Sequence, residues 1–147
     1  EVATSQPNGL PRSIGSYYAH ILIVEDLTVN GMLKKQAPLF VSDWRDRTGF
    51  DGPAPSDPAQ WVGWSGQALG DVVSSRAYAQ AVYAATASYV DSLIDADLAT
   101  PVDLSAIGFG MQNTGWLLSV FVLINCSWHT GEISCLKGGQ GLKGYPF

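Results

Sequence analysis

Charge is what this chain has least of: Asp, Glu, Lys and Arg make up 14% of it, against roughly 25% in an ordinary soluble domain. A surface so poor in charge is expected to be covered in part by a partner. The 8 Lys and Arg residues are scattered and outnumbered by 13 Asp and Glu, for a net charge of −5. That balance excludes a phosphate-tracking face, and nucleic acid as a partner with it. Long apolar runs are lacking too. The longest, Trp116 to Ile124 broken by Ser119, falls far short of the ~20 residues needed to cross a bilayer, so no membrane span is expected. Cysteine is limited to Cys126 and Cys135. On one helix they would stand about 13 Å apart, too far for a disulfide, which points to a reducing, cytoplasmic setting. Glu1 to Pro11 is polar, with neither the basic nor the apolar region of an export signal. The chain starts without Met, so something upstream is expected to have been removed or left out.

What remains is 46% apolar over 147 residues, enough for one core and one domain spanning 1–147. Three helical patterns stand out. The first opens after Gly9-Leu10-Pro11, with Ser13 as N-cap, and runs through Tyr17, His20, Ile21, Val24, Leu27 and Thr28 toward Lys34. From Gln36 to Asp71 the prolines at 38, 53, 55 and 58 and several glycines break regular structure. This stretch reads as a long ordered excursion held down by Phe40, Trp44, Trp61 and Trp64, with a helical turn after Asp57-Pro58. A second, Ala-rich helix runs from Asp71 or Ser74 to Ile94. A break at Pro101 and a loop with Gly108 and Gly110 lead to a third helix, from between Gln112 and Thr114 to between Lys137 and Gln140. Strand-like alternation is weak, and an all-α bundle is the economical reading.

The third helix carries the chemical clue. At about 100° per residue, Leu118, Val122, Asn125, His129, Glu132 and Leu136 share one face, so three polar groups interrupt a stripe that otherwise belongs to the core. Buried polar groups need partners. The first helix offers one, because Tyr17, His20, Val24 and Leu27 form its apolar face and the only other histidine lies in that stripe. Two facing helices would bring the imidazoles together. A divalent metal would account for the cluster, with His20 and His129 as ligands and Asn125 or Glu132 as the third. A pair of core histidines hydrogen-bonded to Asn125, Glu132 or Glu25 would account for it without an ion. Glu25 and Asp26 are rotated off the His20 face. Asp26 is expected in solvent, and Glu25 is expected to cap a loop or pair across the bundle. Cys126 and Cys135 read as small buried hydrophobes, and Trp128 as a border of the site. The glycine-rich tail after Gly138 follows a helix and precedes no Ser/Thr-led one, so it reads as a wrap that seals the bundle or a dimer rather than as a phosphate loop.

The run Ser13-Ile14, Tyr18-Ala19-His20, Glu25-Asp26 and Asn30-Gly31, followed by His129-Thr130-Gly131-Glu132-Ile133, Leu136-Lys137-Gly138 and Gly144-Tyr145-Pro146-Phe147, resembles the DinB/YfiT-like superfamily over nearly the whole chain. The resemblance implies a four-helix bundle, often dimeric, with a divalent metal held by three histidines. One comes from the helix matched by His20 and two from a His-x3-His pair on the last long helix. It further implies metal-dependent transferases and isomerases that use low-molecular-weight thiols such as mycothiol or bacillithiol. The second histidine of the pair matches His129, but the first matches Asn125, whose amide oxygen is a weaker ligand for Zn2+ or Ni2+ than imidazole. The family also begins with a helix upstream of the segment matched by Gln6 to Ile14, where this chain has only Glu1 to Ser5. Either that helix is missing, or a partner subunit or the 36–71 excursion covers the face it would occupy.

Two functional expectations follow. One is a divalent-metal-dependent thiol transferase or hydrolase acting on a small molecule, cytoplasmic and homodimeric. Its metal would be bound by His20, His129 and Asn125, with Glu132 in the catalytic apparatus as an acceptor for an imidazole N–H. The other is a metal-free small-molecule-binding or structural module that lost its ion when a histidine position became Asn125.

Overall fold

Helix initiation is written into the residues that cap it. Ser13 and Ser16 form a reciprocal capping box, the Ser13 side chain accepting from the Ser16 N–H and the Ser16 side chain from the Ser13 N–H. From there α1 (Ile14–Asp26) continues into wider π-helical turns over Leu27–Leu33, close to the expected end at Lys34. The computed structural model describes residues 12–65 and 71–145. The expected lead-in through Gly9-Leu10-Pro11, the segment Glu1 to Ser5 and the terminal Pro146-Phe147 lie outside those residues.

The excursion after α1 is ordered by aromatic packing. It carries short 3-10 turns at Leu39–Val41 and Pro58–Gln60 and the one-turn helix α2 (Trp61–Ser65). Phe40 joins Leu22, Ile23, Tyr78, Ala79 and Val82 in the main core, with Trp44, Trp61 and Trp64 packed against it. Helix α3 (Val72–Asp91) opens on Asp71, whose carboxylate accepts from the Val73 and Ser74 N–H groups. The last helix spans 114–139 in three parts: α4 (Thr114–Leu117), π-helical turns over Leu118–Ile124, and α5 (Asn125–Gly139). α1 is central, packing against α2, α3, α5 and the π-helical segment. The tail folds back on α5, where the Lys137 ammonium donates to the Gly144 carbonyl at 3.2 Å.

The expectation of a purely helical chain is corrected by a hairpin. Strands β1 (Pro101–Leu104) and β2 (Gly110–Asn113) pair antiparallel, Pro101 opposite Asn113 and Leu104 opposite Gly110. Gly108, in the left-handed region, closes the turn between them. Val102 and Leu104 face inward and join Leu117 in a second core cluster. Alternation over four residues is too short to stand out in the sequence, and it forms because those two side chains meet the start of the last helix. The molecule is thus mainly helical, with a two-stranded sheet.

Asp26 is a second correction. It is fully buried rather than solvated, and its carboxylate accepts from the Asn30 amide at 2.8 Å, the Leu39 and Phe40 N–H groups at 3.0 Å each, and the Tyr78 hydroxyl at 2.8 Å. One carboxylate therefore ties α1, the excursion and α3 together.

Candidate functional site

His20 lies on the second turn of α1 and His129 on the second turn of α5, the two helices pack together, and the imidazoles meet where they do. Their ring centres are 4.9 Å apart and their planes cross at 85°. His20 is buried. Burial first, then the charges of Arg12 and His129, lowers its pKa to about 4, so the ring is neutral at pH 7. Glu132, one turn beyond His129, receives the Nδ1–H of that ring on its Oε2 atom. A carboxylate in that position orients the ring and favours the proton on Nδ1.

Exposure rises along this chain of groups: the His129 side chain is 17% exposed and that of Glu132 48%, and Trp128 beside them stands 70% exposed. The site therefore runs from a dry end at His20 to a wet mouth at Glu132. Asn125 begins α5 one helical turn before His129 and is half-buried, which puts it on the His129 side of the helix. Among the described residues its side chain has no hydrogen-bond partner.

Tyr17 belongs to this cluster although its spacing suggested only packing. Its ring centre is 5.3 Å from that of His129, and burial, reinforced by the nearby Glu132 carboxylate, raises its pKa. The Arg12 guanidinium carbon lies 5.7 Å from the Tyr17 ring centre. The signal that could have found Tyr17 is its place three residues before His20, which puts the two on one face of α1. Glu25 is outside the site and bonds across the bundle to the Thr86 hydroxyl at 2.6 Å. Cys126 is half-buried, whereas Cys135 is exposed, against the expectation that both are buried. Among the described residues no group of three or more His, Cys, Asp and Glu side chains is arranged to hold an ion. The cluster offers two imidazoles, one amide and one carboxylate already engaged with an imidazole.

Comparison with solved structures finds the same fold in the crystal structure of a conserved protein from Enterococcus faecalis. The TM-score is 0.71 at 19% identity, over 92% of this chain and 79% of that one. Comparison with curated proteins gives no match. A DinB superfamily model matches residues 1–132, nearly the whole length over which the two histidine-bearing helices are built, and the chain belongs to the DinB superfamily.

Proposed function

We propose that the chain is a divalent-metal-dependent enzyme of the DinB type, a thiol-dependent transferase or a hydrolase acting on a small molecule, with His20 and His129 as the principal ligands. The observation that carries this reading is the convergence of the two rings. An ion bound through an imidazole nitrogen lies about 3.2 Å from the ring centre, so two rings ligating at about 90–110° have centres about 4.5–5.3 Å apart. The 4.9 Å between His20 and His129 falls inside that range. Asn125, on the same face of α5 and without another partner among the described residues, supplies a neutral oxygen as a third, weaker donor.

When bound, Zn2+ or Ni2+ supplies Lewis-acid polarisation that lowers the pKa of a water or a low-molecular-weight thiol. The rest falls to the protein. Glu132 holds the His129 Nδ1 proton and thereby aims Nε2. Burial keeps His20 neutral and so competent as a donor. Tyr17 packs its ring against that of His129, and the gradient from dry to wet lets a small molecule enter at the Trp128 end. Cytoplasmic residence and a homodimer joined through the low-charge surface complete the proposal.

Asn125 also favours a second reading, a DinB domain that no longer holds its ion and serves as a small-molecule-binding or structural module. Elemental analysis of untagged protein separates the two. The enzyme reading predicts close to one equivalent of divalent metal, lost in His20→Ala and in His129→Ala, and only a modest gain in affinity for Asn125→His. Absence of stoichiometric metal from the parent protein, together with its appearance in Asn125→His, would establish the metal-free reading instead.

A further inference from the structure

Helix α3 spans 20 residues and carries two charged ones, Arg76 near its start and Asp91 at its end. Its buried side, Ser75, Tyr78, Ala79 and Val82, packs toward α1 and the π-helical turns that follow it. Turned about 120° from that side, Val73, Arg76, Gln80, Tyr83, Ala87 and Val90 succeed one another at alternating steps of three and four, and all of them are exposed. That alternation is the spacing of a seam between two helices, which a helix side that merely meets water does not need. Ala77 and Ala84, exposed on its flank, leave room for a second backbone to approach.

The two charges say what runs along this stripe. Asp91 is the last residue of α3, at the negative end of the helix dipole, where a carboxylate is locally unfavourable. Among the described residues neither Arg76 nor Asp91 makes an ion pair. Both gain a partner when a second copy of α3 lies antiparallel on the stripe. Arg76 then comes beside Asp91 of the partner subunit, and twofold symmetry forms the same pair again at the other end. The register that allows this sets the axis between Tyr83 and Ala87, with Arg76 and the partner's Asp91 offset by about 4.5 Å along the helix, within reach of an arginine side chain. Tyr83 then meets the partner's Ala87, and Val90 meets the stem of the partner's Gln80, large side chains against small or flexible ones. A parallel pairing would set like charges against each other at both ends. Tyr83 also reaches toward α5, where Cys126 is among the groups that raise its pKa, so the seam borders Leu123, exposed one turn earlier on the last helix.

We propose that a second copy of this chain docks on the α3 stripe, α3 against α3 in antiparallel register with Arg76 beside the partner's Asp91; the inference rests on the homodimer proposed above and names its seam. The test is sedimentation equilibrium of the full chain and its variants at low salt. Arg76→Asp and Asp91→Arg each turn two symmetric attractions into two repulsions, and each should weaken the dimer about tenfold. The double variant Arg76→Asp/Asp91→Arg exchanges the signs and should recover the parent affinity. Ala87→Glu, which sets a carboxylate against the partner's Tyr83, should leave a monomer. Far-UV circular dichroism of each variant reports that it is folded, and recovery in the double variant excludes misfolding as the cause of the single effects. A dimer that Arg76→Asp and Ala87→Glu leave unchanged is joined elsewhere, which overturns the seam and leaves the homodimer standing. Failure of the double variant to recover overturns the antiparallel register. A monomeric parent protein overturns the seam and the homodimer together.

Discussion

At the scale of single residues, buried carboxylates show where local sequence stops being informative. Asp26 is adjacent to Glu25 and off the His20 face, which made solvent its natural surroundings. Three of its four donors come from residues 13, 14 and 52 positions away, and no spacing rule reaches that far. Replacing Asp26 by Ala strands those donors and is expected to cost about 3 kcal/mol or more, read from urea denaturation; a loss within a few tenths would contradict the role given to it. Glu25 makes a contrasting case. Burial raises its pKa above the ordinary 4.5, so the folded state favours the neutral acid. Its contribution is therefore most favourable below pH 4.5 and is lost as pH rises through the elevated folded-state value. Glu25→Gln should accordingly be more stable than the parent at pH 7, with the difference vanishing by about pH 4. Denaturation of both proteins across that range checks the sign, and a difference that grows toward acid would reverse it. The His20 and His129 pairing, by contrast, was legible, because each is the lone histidine on an apolar helical face.

At the scale of elements, helices announced themselves and the hairpin did not. Ser13, Asp71 and Asn113 each cap a helix through side-chain acceptance of backbone N–H groups, and capping residues are visible without any knowledge of the fold. The excursion was legible through its tryptophans, since Pro and Gly remove regular structure while large aromatic side chains still require burial. The π-helical turns over Leu27–Leu33 and Leu118–Ile124 leave no mark in an apolar helical run. Gly49 shows how tightly the excursion is fastened to α3. Its carbonyl accepts the Asp71 N–H at 2.8 Å, its φ is +77°, and a Cβ built there would stand 2.6 Å from the Ser75 nitrogen and 2.8 Å from Ser74. Both the strained conformation and the backbone clash oppose a side chain, so Gly49→Ala is expected to cost more than about 2 kcal/mol in the same denaturation assay. A neutral result would mean that the segment shifts freely.

At the scale of the whole molecule, scarcity of charge becomes a surface property. Leu123 and Trp128 on the last helix, Val90 on α3 and Ile94 just beyond it are all exposed, and no Asp, Glu, Lys or Arg occurs from Leu104 to Gly131. The homodimer proposed above uses that surface. Sedimentation of the parent protein is expected to give twice the 15.7 kDa chain mass, and Leu123→Glu should return it to one; a monomeric parent protein would contradict the dimer. The fold class was readable because three amphipathic patterns and a family resemblance agreed. The chemistry was readable only as a juxtaposition, since the position matched by Asn125 departs from the three-histidine pattern. The most direct measurement is therefore imidazole ¹⁵N NMR of the protein during addition of Zn2+. The account predicts that the nitrogens of His20 and His129 shift together and saturate at one equivalent; a response from one ring alone, or from neither, would contradict it.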